Sequence, residues 1–106
     1  MPILRVALDI PLPRLFDYLC DDAQPADIGC CVRVPFGHGE KTGVIIDVAG
    51  QSDQTPGKLR QAGGILRELP ALPPDWLELA TFCSRYYQQP LGEVVAMALP
   101  PYLRRG

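Results

Sequence analysis

The chain has 106 residues, 47% of them hydrophobic and 21% charged, with 12 prolines and a formal net charge of −2. That length supports one domain with a modest core, and the apolar share argues against a disordered chain. The acidic balance, with a pI near 5.2, excludes a domain whose main work is neutralising many backbone phosphates; any nucleic-acid contact must be local.

Taken in chain order, Ile3 to Ile10 alternates loosely, with Leu4, Val6, Leu8 and Ile10 on one face, and reads as a strand that Pro11 and Pro13 terminate. Leu15 to Cys20 continues extended, setting Leu15, Asp17 and Leu19 on one face and Phe16, Tyr18 and Cys20 on the other. "DDAQPADIG" (21–29) is a polar loop with an acidic start. From Cys30 to Phe36, Cys30, Val32, Val34 and Phe36 face one way, with Cys31, Arg33 and Pro35 opposite. "GHGEKTG" (37–43) is a glycine-rich hairpin connection, and Val44 to Val48 is the returning strand.

"GQSDQTPG" (50–57) reads as a surface loop, and Lys58 to Leu66 as a weaker strand whose Gly63-Gly64 invites a bulge or a close backbone approach. The period then changes. Pro73-Pro74-Asp75 starts a helix, and Trp76, Leu79, Ala80, Cys83, Tyr86 and Tyr87 follow at helical spacing until Pro90. A second short helix spans about Gly92 to Leu99. Strands over 3–66 followed by helices over 73–99 predict a single α+β domain. Its architecture would be a small OB-like β-barrel or curved antiparallel sheet followed by two C-terminal helices.

Several chemistries are argued against. Cys20, Cys30, Cys31 and Cys83 form no C-x-x-C pair and have one histidine, His38, to join them, which speaks against a zinc site. The same scatter speaks against a Cys–His nucleophile. In "GHGEKTG", Glu40 separates Gly39 from Lys41 and the loop joins two strands, so it is not a nucleotide-binding P-loop. The expectation is a segment without catalysis, metal or cofactor. The N-terminus does not resemble a signal peptide and no apolar run approaches the ~20 residues that span a membrane, so a cytoplasmic setting with reduced, packed thiols is expected.

"PLPRLFDYLC" (11–20) places Asp17 between two aromatic rings. The residues alone favour Phe16 and Tyr18 as core or cross-strand packing, with Asp17 solvated on the other face. Tyr86 and Tyr87 likewise read as part of a buried helix stripe, and Arg104 and Arg105 beside Tyr102 as a solvated chain end.

A resemblance changes the weight of the first segment. "VALDIPLPRLFDYL" (6–19), "VRVPFG" (32–37), "KTGVIIDV" (41–48), "YYQQPLGEVV" (86–95) and "ALPPYLRRG" (98–106) resemble, in order and over essentially the whole chain, the N-terminal domain of the primosomal protein N′ (PriA) replication-restart helicases. The resemblance implies an OB-like module at the start of a larger ATP-dependent 3′–5′ helicase, whose remaining parts use ATP, Mg and Zn. It implies capture of the free 3′-OH end of a nascent leading strand at a stalled fork, without base selectivity. It implies as partners the helicase lobes of the same chain, primosome proteins and single-strand-binding proteins, and a nucleoid-associated location. A rival reading makes the domain a protein-docking module for those same proteins; a third makes it structural packing for the motor.

Carried over residue by residue, the resemblance points to Phe16, Asp17, Tyr18 and Gly37 as the 3′-end pocket, with a basic residue on the later strand. Arg60 in "KLRQAGG" matches that position best and Lys58 competes with it. Arginine where the family usually has lysine offers a planar fork in place of a point donor. Cys31 stands where the family often has a basic residue. Within this frame a ring would stack on the terminal base, Gly37 would admit close approach, and the Asp17 carboxylate would accept from a terminal hydroxyl and repel a phosphate in its place. Strand alternation separates Asp17 from Phe16 and Tyr18, so either the segment bends after Pro13 or one group acts through its backbone.

Overall fold

Alternate strand side chains converge on one buried cluster: Leu4, Val6, Leu8, Ile10, Tyr18, Cys20, Cys30, Val32, Val34 and Ile45. The computed structural model, which describes residues 2–11, 14–50 and 59–99, shows why. Strands β1 (Ile3–Ala7), β2 (Phe16–Leu19), β3 (Cys31–Phe36), β4 (Gly39–Ala49) and β5 (Gly64–Ile65) form one antiparallel sheet in the order β2-β1-β4-β3-β5. Helices α1 (Pro74–Tyr87) and α2 (Leu91–Ala96) follow. The α+β class and the strands-then-helices order are as expected.

The sheet curls until its two edges are joined by the same segment. At the β2 edge, the Leu19 N–H donates to the Arg60 carbonyl and the Ala62 N–H to the Leu19 carbonyl, both at 2.9 Å, a parallel bridge between Leu19 and Gln61. Two residues later the chain has crossed to β3, where the Gly63 N–H donates to Arg33 at 2.7 Å and the Leu66 N–H to Cys31 at 2.9 Å. Of the strand expected over 58–66, the described residues 59–66 are a crossing piece with only Gly64–Ile65 as regular strand. Gly63 fits there because a side chain would press on the Arg33 carbonyl, 3.1 Å from the position of a Cβ. Both edges are occupied, and the inner cluster becomes the interior of a small barrel.

The outer face of the sheet is also covered. Ala7, Cys31 and Val44 pack with Ala80 of α1, Val95 of α2 and Leu99. Burial on both faces accounts for the unbroken apolar run Val44-Ile45-Ile46, which alternation alone does not require. Each fully buried aliphatic side chain here contributes about 1.5–3 kcal/mol.

Three expectations need correction. β1 ends at Ala7, although Leu8 and Ile10 remain buried. The connection over 37–43 shrinks to Gly37-His38: Phe36 pairs with Gly39, and β4 starts at Gly39 rather than Val44. Gly37, with φ at 61°, supplies the left-handed conformation that a two-residue hairpin needs at its first central position. On α1, Tyr86 and Tyr87 are 69% and 70% exposed and not buried. Apolar residues occupy more than one face of this helix, and the sheet covers only the face carrying Trp76, Leu77 and Ala80. Leu79, Phe82 and Tyr86 lie at a second helical spacing that faces outward.

The acidic loop over 21–29 holds a buried carboxylate that its composition does not reveal. A 3₁₀ turn at Pro25–Asp27 brings Asp27, 5% exposed, under Arg67. Arg67 donates to both Asp27 oxygens at 2.9 Å, to the Asp22 carboxylate at 3.0 Å and to the Asp22 carbonyl at 2.9 Å. This fork pins the end of the crossing segment to the loop. Arg67 holds the Asp27 carboxyl below the usual carboxylate value. The Asp22 carboxyl is held below it by the Cys20 thiol together with Arg67.

A Cβ on Gly92 in α2 would run into the Leu8 backbone carbonyl, so Gly92→Ala is expected to lower unfolding free energy by about 1–3 kcal/mol in urea titration. Because Asp27 is held below 3.8 when folded, the unfolded chain takes up the proton first on acidification. Stability is then fully present above about pH 4 and is lost as pH falls through the folded value. Asp27→Asn is expected to flatten that acid limb in urea midpoints compared across pH.

Candidate 3′-end site

β2 and the β3–β4 hairpin meet at one end of the barrel. Phe16 opens β2, half-buried, and meets Phe36 edge to face with centroids 5.5 Å apart and rings at 89°. Phe36 is the last residue of β3 and leads directly into Gly37. Two residues along β2 on the same face, the Tyr18 ring is buried in the barrel and its hydroxyl donates to the Pro35 carbonyl at 2.8 Å. Burial pushes the Tyr18 hydroxyl above its ordinary value, with the Arg60 charge opposing the shift. Tyr18 therefore stays a neutral donor, tying β2 to the strand beside Gly37.

Arg60 reaches the same place from the crossing segment. Its guanidinium donates to the Gly37 carbonyl at 3.1 Å, which uses one of five N–H donors. The turn is not crowded at Gly37, since no heavy atom lies within 4 Å of where a Cβ would be. The glycine is required by its backbone angle, and the open space around it is available to a ligand. Lys58 lies outside the described residues, as do Tyr102, Arg104 and Arg105.

The structure thus brings Phe16, Tyr18, Gly37 and Arg60 together. It sets the Asp17 carboxylate on the other face of β2, as alternation requires. Asp17 pairs in register with Arg5 of β1, and its carboxylate lies 3.8 Å from the Arg5 guanidinium with the side chain 14% exposed. Arg5 is shared with Asp47 at 4.0 Å. One guanidinium thus lies between two carboxylates on this row. The Leu19 N–H and carbonyl that bond the crossing segment point away from β1. Strand alternation turns the same groups of Asp17 to that side of β2, away from β1.

Two participants were not singled out from the sequence. Phe36 shares the face of Cys30, Val32 and Val34 in the sequence pattern, but its contact with Phe16 depends on the barrel closing. Arg14 lies with its guanidinium carbon 4.6 Å from the Phe16 ring centroid, a cation–π contact on the ring face. Cys31, at the position where a basic residue is common, is buried under the helices and its thiol is pushed up by burial. It offers nothing to a ligand at the barrel end. Among the described residues no group of three His, Cys, Asp or Glu side chains is placed to hold a metal ion. No helix among them is long and apolar enough to cross a membrane.

The family model for the 3′ DNA-binding domain (3′BD) of PriA matches residues 5–100. This chain belongs to the PriA 3′ DNA-binding domain family. The replication restart protein PriA of Haemophilus influenzae is 42% identical over 109 residues, covering all of this chain and 14% of that protein. PriA of Rickettsia conorii is 29% identical over 103 residues, covering 92% of this chain, and PriA of Buchnera aphidicola 25% identical over 105 residues, covering 99%. The chain spans 14–15% of the length of these PriA relatives. For a 3′ DNA-binding domain, a barrel end that combines ring faces, an open glycine turn and a guanidinium is chemically apt.

Tyr18→Phe removes the 2.8 Å bond to Pro35 while leaving the ring in the core. It is expected to cost about 1 kcal/mol in urea titration.

Proposed function

We propose that this chain captures the free 3′-hydroxyl end of a DNA strand at the barrel end, without regard to the terminal base. The observation that carries the reading is the Arg60 guanidinium seated on the Gly37 carbonyl beside the Phe16–Phe36 pair, in a member of the 3′ DNA-binding domain family. The terminal nucleotide lies against the edge of β2 before Leu19 is taken up by the crossing segment. Its base stacks at Phe16, contributing about 1–3 kcal/mol whatever the base. Arg60 reaches its 5′ phosphate, and the Gly37 turn admits the sugar.

Asp17 acts at this edge from the other face. A 3′-phosphate brought against its carboxylate is repelled by about 1 kcal/mol in water and about 4 at an intermediate dielectric. A terminal hydroxyl is accepted, whereas a strand that continues is not. In the larger protein, by the likeness to PriA, the strand is the nascent leading strand at a stalled fork. The domain then serves an ATP-dependent 3′–5′ helicase in replication restart and primosome assembly, in the bacterial cytoplasm near the nucleoid.

A second reading has its own support. Leu79, Phe82 and Tyr86 expose 58%, 61% and 69% of their surface on one face of α1, and Phe82 and Tyr86 stack at 5.9 Å. Such a patch suits docking against protein, whether the helicase lobes of the same chain or a primosome or single-strand-binding partner.

Titration with matched oligonucleotides ending in 3′-hydroxyl or 3′-phosphate tests the first reading. Tighter binding of the hydroxyl end is expected for the wild type, with the gap narrowed in Asp17→Asn. Equal affinity for both ends would sink the end-capture reading, and no binding to either would leave the docking reading.

A further inference from the structure

We infer that Arg14 and Arg85 form a second subsite, which holds the phosphodiester backbone of the same DNA strand on the 5′ side of its terminal nucleotide. The inference rests on the end-capture reading for its starting point at Phe16. It concerns a different part of the surface.

Arg14 links the two places. Its guanidinium lies over the Phe16 ring, and the same residue lines a groove of about 390 Å³ between the outer sheet face and α1. Leu15, Ile46 and Leu91 supply the apolar part of that groove, and Arg85 enters it from the last turn of α1. A cation in a last helical turn is favoured by the helix dipole. That accounts for the charge, but not for its sharing one groove with the arginine that covers the candidate stacking ring.

The other polar groups of the groove are committed. The Thr81 hydroxyl donates to the Leu77 carbonyl at 2.9 Å and the Ser84 hydroxyl to the Gln89 carbonyl at 2.5 Å. The two guanidiniums are therefore the donors that remain for a ligand. The other described arginines away from the barrel end are occupied. Arg5 lies between Asp17 and Asp47, Arg33 between Glu40 and Thr42, and Arg67 between Asp22 and Asp27. Among the described residues, neither Arg14 nor Arg85 forms an ion pair with a carboxylate. In a chain of net charge −2, two such cations on one groove, one of them also over the Phe16 ring, complement a polyanion locally.

The direction is set by chemistry. A captured 3′ end can continue only toward its 5′ side, so from the 5′ phosphate at Arg60 the preceding phosphates must run on beyond Arg60 or turn back across Phe16 past Arg14. The Arg14 side leads into a groove with a second cation. Glu78 lines the adjoining groove beyond Arg85 and bounds the cationic stretch. The subsite therefore spans a few phosphates and not a long track.

The test compares a dinucleotide with an octanucleotide of one base, each ending in 3′-hydroxyl, and each repeated with a 3′-phosphate, at two salt concentrations. Wild type is expected to bind the octanucleotide more tightly. Arg85→Ala is expected to lower the octanucleotide-to-dinucleotide affinity ratio about three- to tenfold, the scale of one exposed charge-assisted contact. The octanucleotide salt slope should fall by about 0.7, the value for one phosphate of a single strand. Arg85→Lys should restore most of the ratio. Arg85 is exposed, and circular dichroism with urea midpoints confirms that the variants fold. An unchanged ratio in Arg85→Ala, or a wild type that binds both lengths equally, overturns the subsite. Loss of the hydroxyl-over-phosphate preference with a persisting Arg85-dependent ratio removes the end-capture reading and leaves the subsite standing.

Discussion

The closure of the sheet by residues 60–66 is the constraint on which the rest depends. Four backbone hydrogen bonds, two to Leu19 and one each to Arg33 and Cys31, tie this piece to both open edges. Without it the sheet would leave β2 and β3 as unpaired edges, and the interior around Tyr18 and Val34 would open. With it, Arg60 arrives above the Gly37 turn, and Phe16 meets Phe36. The residues of the candidate site come from three distant parts of the chain. Only the closed barrel brings them together.

The ends of the crossing piece are held by different physics. Near Leu19 it relies on backbone pairing. Past Ile65 it is clamped by the Arg67 fork on Asp27, a carboxylate buried by the 3₁₀ turn. Such a bidentate pair has directional geometry and fixes the register of what precedes it. Arg60 is seven residues upstream, and its contact with Gly37 follows from that register. The described arginines of this acidic chain thus fall into two groups. Arg5, Arg33 and Arg67 hold the fold, while Arg14, Arg60 and Arg85 are left to the surface.

Much of the barrel was legible because alternation is a strong signal. Cys30, Val32, Val34 and Phe36 face inward as their period predicts, and Asp17 is separated from Phe16 and Tyr18 as the same rule requires. The bend after Pro13 that would bring all three together is not needed for β2, which pairs regularly with β1 from Phe16 to Leu19. What the sequence hid are long-range effects. A parallel bridge at Gln61 has no local pattern, and nothing near Asp27 marks it for burial by an arginine forty residues away. Tyr86 and Tyr87 misled because periodicity reports that a helix has an apolar face, not how many such faces the neighbouring sheet can cover. The segment around Phe16 stands out as a candidate site only through the family pattern, since two rings on a strand are ordinary core by themselves.

The most direct test of the account is backbone amide NMR on the 106-residue chain titrated with a short 3′-hydroxyl oligonucleotide. The closed-barrel site predicts the largest shift changes at Phe16, Asp17, Gly37, His38 and the 60–62 piece, all at one end of the molecule. Changes confined to the exposed face of α1 around Phe82 and Tyr86, with the Gly37 turn and residues 60–62 unmoved, would contradict it.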